Sequence, residues 1–162
     1  MKILTLYFSK TGHTKAAAEL IHETAGGDIY EIKTERTYSD SYGVAVLQSG
    51  LERFRNSLPE LKDIPDISAY DTIFIGSPVW WFTLAPAVKA LIAETDWKGK
   101  TVYPFFTSGG QPRHTGDDFT ALLKKAGADI PDYFHIPYKG NKVEKEPAEI
   151  VGWTERKLEG RS

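Results

Sequence analysis

Three short stretches gather residues whose types and spacing could do chemistry. The first is Ser9-Lys10-Thr11-Gly12-His13-Thr14, three hydroxyls around one glycine, directly after a short apolar run. A turn from a buried strand into a helix leaves backbone N–H groups without intrahelical acceptors at the positive end of the helix dipole. That is phosphate-binding chemistry. The dipole alone contributes only about 0.3–1 kcal/mol at an exposed site, so hydroxyl and amide hydrogen bonds must do most of the holding. Ser and Thr are equally at home as ordinary helix N-caps, and the loop alone does not separate the two roles. Other phosphate loops fit badly: only Gly12 of a G-x-G-x-x-G pattern is present, and G-x-x-x-x-G-K-[ST] is absent.

The second stretch is Ser77-Pro78-Val79-Trp80-Trp81-Phe82. Three large aromatics in a row cannot all enter one core. A flat aromatic ligand is a natural cover for those left out, since offset stacking adds about 0.5–1.5 kcal/mol per pair beyond area burial. The structural alternative is that Trp81 or Phe82 staples the next helix to the sheet, and at least one of them is expected to do so. The third stretch is Thr107-Ser108-Gly109-Gly110-Gln111-Pro112. Paired glycines let backbone approach a ligand closely, though a plain flexible loop has the same composition.

These stretches need elements to position them. Ile3 to Phe8 is apolar at nearly every position, as in a strand covered on both faces. Thr14 to Thr24 changes to helical spacing, with Ala17, Ala18, Leu20 and Ile21 on one stripe, and Gly26-Gly27 stops it. Asp28 to Lys33 reads as a second, edge-like strand. The segment from Thr34 to Ile67 is too long for a simple crossover. Within it, Val44, Leu47, Leu51, Phe54 and Leu58 have helical spacing, and residues 59 to 65 read as extended. Thr72 to Gly76 is a clear strand that Ser77-Pro78 is expected to stop. A helix over Ala85 to Ala93 has Pro86 in its first turn, where a missing N–H costs little. Thr101 to Phe106 is a fourth strand, Asp117 to Ala126 a helix ended by Gly127, Tyr133 to Ile136 a short fifth strand, and Pro147 to Leu158 the closing helix. Strict β-α alternation predicts one domain over residues 1–162, with a parallel sheet and helices on both faces. In such sheets ligands bind outside the carboxyl ends of the strands, where all three stretches fall.

Bulk properties exclude several classes. The chain has 162 residues and 41% hydrophobic composition, which suits one globular core. The net charge of −2 points to neither nucleic acid nor a membrane surface. There is no cysteine, which removes disulfides, thiolate catalysis and cysteine-held metals. The apolar N-terminal run is too short for a secretory segment, and no stretch approaches the roughly 20 apolar residues of a spanning helix. A cytoplasmic protein is expected. The four histidines lack metal spacing, so no metal site is expected. His13 and His114 are placed to approach a ligand, while His22 reads as helix surface and His135 as a structural strand residue. No catalytic side chain can be named from sequence order.

Taken together, the three loops resemble the flavodoxin family over essentially the whole chain. Ser9-x-Thr11-Gly12-x-Thr14 looks like its phosphate loop, Gly76-Ser77-Pro78-Val79-Trp80-Trp81 its second flavin loop, and Phe106-Thr107-Ser108-Gly109-Gly110 its third. The last two are closest to a bacterial flavodoxin-like subgroup, and the chain looks short-type. The resemblance implies a flavodoxin-like doubly wound five-stranded parallel sheet of order 2-1-3-4-5. It implies one FMN, with Ser9, Lys10, Thr11, Gly12, His13 and Thr14 at the phosphate. Pro78, Val79, Trp80, Trp81 and Phe82 would lie along one side of the ring, with Trp80 or Trp81 stacking. Thr107, Ser108, Gly109 and Gly110 would give backbone contacts to its pyrimidine edge.

Two functions follow from the resemblance. One is an electron carrier serving redox partner proteins; the other is an NAD(P)H-dependent oxidoreductase passing electrons to quinones or similar small acceptors. Family carriers are usually strongly acidic, whereas this chain carries Lys10, His13, Arg113 and His114 in its loops, with Asp117 and Asp118 only later. Nearby cations favour an anionic reduced flavin, so the reduced-flavin couple is expected to be less negative than in acidic members. A tenfold preference between redox states moves a one-electron potential by about 59 mV. Tyr38 or Tyr42 could fold over the flavin or meet another subunit. A receiver-type signalling domain of the same topology would need acidic residues where Ser9 and Gly76-Ser77 stand.

Overall fold

The computed structural model describes residues 1–35, 41, 43–45, 47–48, 58–140 and 142–159. The run Ile3–Tyr7 forms β1, buried at all five positions, as its unbroken apolar pattern requires. It feeds α1 (His13–Ala25), which ends at Gly26, and β2 (Asp28–Glu31) follows, partly exposed as an edge strand. The chain continues through β3 (Thr72–Trp80), β4 (Thr83–Leu84), α2 (Pro86–Glu94), β5 (Thr101–Ser108), α3 (Thr115–Lys125), β6 (Phe134–Lys139), β7 (Lys142–Val143) and α4 (Pro147–Leu158).

The long strands are all parallel and lie in the order β2-β1-β3-β5-β6, which is the expected 2-1-3-4-5 arrangement. Two short antiparallel strands are additions to it: β4 pairs with β3 and β7 with β6. Alternation along the strands divides the core into two layers. Leu4, Leu6, Ile73, Ile75, Val102 and Phe106 face α2 and α3 through Val88, Leu91, Phe119 and Leu123. Ile3, Tyr7, Phe74, Tyr103 and Phe105 face α1 and α4 through Ala18, Ile21, Ile150 and Trp153. Each large side chain so buried stabilises the fold by about 1.5–3 kcal/mol. Gly76 serves this packing, because a Cβ there would lie 2.3 Å from the Phe105 ring.

One strand differs from expectation in a way that matters. Ser77-Pro78 does not stop β3, which runs on to Trp80. The reason is the neighbouring strand. Pairing with β1 ends at Tyr7↔Gly76, while pairing with β5 continues to Pro78↔Thr107. At Pro78, past the end of the β1 pairing and before the β4 pairing that begins at Val79, β3 has a free side, where a proline without an N–H breaks no ladder. Likewise β5 extends past Phe106 to Ser108. The helix expected from Val44 to Leu58 falls largely outside the described residues, as do Tyr38 and Tyr42. Of its apolar positions, Val44, Leu47 and Leu58 are described and exposed. No helix among the described residues is long and apolar enough to cross a membrane.

Candidate functional site

The first loop is held in shape by its own hydroxyls. The Gly12 N–H donates to Ser9 Oγ at 3.2 Å, and Thr11 Oγ1 lies 2.8 Å from His13 Nδ1. Gly12 is the N-cap of α1 with φ +94°, the left-handed region that glycine enters at no steric cost. A Cβ there would meet nothing within 4 Å, so its space is open. The helix has no side-chain cap, which leaves its first-turn N–H groups available to an anion. Thr14 has a different duty. Its Oγ1 is 2.8 Å from Thr107 Oγ1 in a buried pair that ties α1 to the end of β5.

The second stretch is a hairpin rather than a loop. Trp80 pairs with Thr83, leaving Trp81 and Phe82 as the two central residues of the turn. Both have positive φ, 54° and 62°, as a type I′ hairpin requires. Asn-Gly usually fills that turn; a bulky L-residue there costs roughly 1–2 kcal/mol each. The third non-glycine residue with positive φ among those described, Arg113 (φ 41°), places its guanidinium 4.6 Å from the Phe82 ring centre. Strain of this kind gathers at ligand clamps and switch regions. On the other arm, Thr83 Oγ1 donates to Asp118 Oδ2, so that carboxylate is engaged at the hairpin base.

Trp80 corrects the expectation for this stretch. It is 2% exposed and meets Phe8 edge-on at 5.6 Å, so it borders the cavity with little open ring face and leaves Trp81 as the exposed tryptophan. Trp81 and Phe82, one of which was expected to staple the helix, are instead 40% and 49% exposed. The hairpin explains the exchange, since Trp80 ends β3 paired with Thr83 and the turn throws the next two outward.

A cavity of about 480 Å³ lies between the hairpin and the third stretch, lined by Val79, Trp81, Phe82, Gly109, Gly110 and Tyr138 among others. The backbone of Gly109 lies close beneath the Tyr138 ring, which a Cβ would approach to 3.1 Å. Tyr138 also stacks flat on His13, with ring centres 3.9 Å apart and planes 4° from parallel. Tyr138 thereby links the cavity wall to the first loop. Of the expected residues, Val79 to Phe82 and Ser108 to Gly110 come together around this cavity, while Pro78 and Thr107 are buried in their strands. Ser9, Thr11, Gly12, His13 and Thr14 form the neighbouring loop, and Lys10 faces a groove of about 220 Å³ with Lys33 and Lys62. Sequence reasoning missed Tyr138, and gave Gln111 a place in the third stretch but no contact. Tyr138 follows the last parallel strand's core, and the rule that ligands sit at strand carboxyl ends could have found it.

A doubly wound sheet with a glycine-and-hydroxyl turn after its first strand, joined by a stacked His–Tyr pair to a flat aromatic cleft, defines a binding protein for a phosphorylated planar ligand. The chain belongs to the flavodoxin family, whose model, described as flavodoxin, matches residues 2–130. Among solved structures it is similar to a flavoprotein in complex with FMN from Lactobacillus acidophilus NCFM, at 28% identity over 83% of this chain and 92% of that one, with a TM-score of 0.72. A protein assigned as a flavoprotein from Bacteroides eggerthii DSM 20697 is 31% identical over 96% of both chains, with a TM-score of 0.77. Another so assigned, from Bacteroides uniformis ATCC 8492, is 28% identical over 95% of this chain and 97% of that one, with a TM-score of 0.78.

Proposed function

We infer that this chain binds one FMN and transfers electrons through it. The observation that carries the reading is the Tyr138–His13 stack, which joins the phosphate-type loop to the aromatic cavity. The residues present fit the cofactor: an uncapped helix start with open space above Gly12 suits the phosphate, and the cavity walls suit a flat ring. When bound, FMN supplies reversible one- and two-electron chemistry. The chain's own part is to bind and orient it. Ser9, Thr11, Gly12 and His13 hold the phosphate end, with Thr14 fixing the start of α1 behind them. Trp81 and Phe82 provide the exposed aromatic wall, and Gly109-Gly110 and Tyr138 the opposite one. Arg113, fixed on Phe82, adds positive charge at the rim, which favours a more negative reduced ligand.

The working place of such a protein is the cytoplasm, and its partner is a redox protein docking at the exposed hairpin. A second reading, an NAD(P)H-dependent oxidoreductase for quinone-like acceptors, is favoured by the groove beside the first loop. Lys10 and Lys62 there, beside a Lys33 that is paired with Glu31, would suit the phosphates of a second nucleotide. One experiment tests both. Purified protein with added FMN should show resolved flavin absorption bands and quenched fluorescence, and no bound flavin would overturn the reading. Anaerobic addition of NADPH then separates the functions: rapid bleaching selects the oxidoreductase, and bleaching only by dithionite selects the carrier.

A further inference from the structure

His135 lies close to the cavity yet has no part in the chemistry described so far. It stands on β6 in register with Phe106, and the two rings stack at 5.2 Å and 19°. Ser108, two residues beyond Phe106 on β5, faces the same side because side chains alternate along a strand. Its Oγ is 2.6 Å from His135 Nε2 and 3.0 Å from the Gly110 carbonyl oxygen. A serine hydroxyl has one hydrogen, and a carbonyl can only accept. With both bonds made, the hydrogen goes to Gly110 and His135 Nε2 is the donor to Ser108. The chain of bonds has a single direction. Burial, and then the nearby Lys145 charge, hold the imidazole below its usual pKa of 6.5. At neutral pH the ring is then neutral, with its proton on Nε2 and Nδ1 bare.

Thr107, the residue between, points the other way and is tied to Thr14. The end of β5 is thus anchored on both faces, and the Ser108 side alone reaches the glycine pair that walls the cavity. We propose that His135 is a positioning residue: by donating from Nε2 to Ser108 it turns the serine hydroxyl onto the Gly110 carbonyl and fixes the 109–110 backbone at the cavity wall. Its effect on cofactor affinity rests on the reading that this cavity takes the FMN ring.

The test begins on the FMN-free full chain. Long-range proton–nitrogen spectra should show the Nε2–H tautomer of His135, and an Nδ1–H tautomer overturns the proposal. The Gly110 carbonyl carbon shift should move in Ser108→Ala; an unmoved shift overturns it as well. FMN affinity follows, read by fluorescence quenching. Ser108→Ala and His135→Phe should each weaken binding roughly tenfold, the scale of one lost hydrogen bond. His135→Phe keeps a ring on Phe106, so its loss reads the bond and not the packing. His135→Gln, which keeps an amide donor, should return binding to within about threefold of wild type. Equal losses in the Gln and Phe variants, or none in Ser108→Ala, defeat the relay. A wild-type chain that binds no FMN defeats the cavity reading instead, while tautomer and carbonyl shift still decide the relay.

Discussion

The phosphate end and the ring end of this site are built on opposite plans. At the phosphate end, hydrogen bonds hold the loop: the Gly12 N–H donates to Ser9, Thr11 meets His13, and Thr14 is bonded to Thr107 inside the fold. The backbone there is relaxed, because the one left-handed residue is a glycine. At the ring end, two large aromatics occupy a turn that penalises them, and both remain exposed. Arg113, over Phe82, braces the tip. The contrast teaches that a fixed anchor point was built by satisfaction of hydrogen bonds, whereas the face that meets the ring was built at some expense to the fold. Strain of roughly 1–2 kcal/mol per aromatic turn residue is tolerable only because the base beneath it is core.

That contrast can be broken by mutation. Trp80→Ala should destabilise the chain most, by about 3–5 kcal/mol, because it removes a buried aromatic from beneath the hairpin; urea unfolding measures it. Thr14→Val should cost about 1–3 kcal/mol, since it strands the Thr107 hydroxyl in a buried place. Here the sharper measurement is a double-mutant cycle with Thr107→Val, in which a coupling below about 0.5 kcal/mol would show that the pair is not an anchor. At the ring end the sign reverses. Trp81→Gly should leave stability unchanged or raise it by up to about 1 kcal/mol, by relieving the positive φ. The same change should weaken FMN binding about fivefold through lost stacking. A Trp81→Gly chain that unfolds as easily as Trp80→Ala would erase the distinction between the two neighbours.

The smallest expected effect is a pH slope. The fold disfavours the charged form of His135, so the unfolded chain takes up a proton first. Between the lowered pKa and the ordinary value near 6.5, stability should therefore rise with pH, and the contribution should be lost as the solution is acidified. Comparing unfolding of wild type and His135→Phe across this window isolates it; a steeper slope in the variant would contradict the sign.

Much of this was legible in the residues. The unbroken apolar run of β1, the α1 stripe stopped at Gly26 and the strict alternation of elements led to the observed parallel order, because burial on both faces leaves few other readings. The limits of β3 were not legible. Pro78 looks like a terminator until one knows that β1 stops pairing at Gly76 and leaves that side free. Register is a property of two strands, and no single strand carries it. The same holds for Trp80 and Trp81: which of two adjacent tryptophans turns inward depends on the hairpin that follows. The gathering of residues 9–14 and 107–110 at strand ends could be read, but the Thr14–Thr107 bond spans 93 positions and needed the fold. Tyr138 escaped because nothing in its own neighbourhood distinguishes it from an ordinary strand-end tyrosine.

The two-residue tip has a consequence for how such a protein could be rebuilt. Its side chains stand largely exposed, with Phe82 against Arg113, while Trp80 carries the core packing beneath, and the turn would accept Asn-Gly more readily than what it has. The tip is therefore an interchangeable part: its surface chemistry can be rewritten two letters at a time while the buried base beneath it is kept. A small set of tip variants on one unaltered frame would separate what the frame does from what it meets.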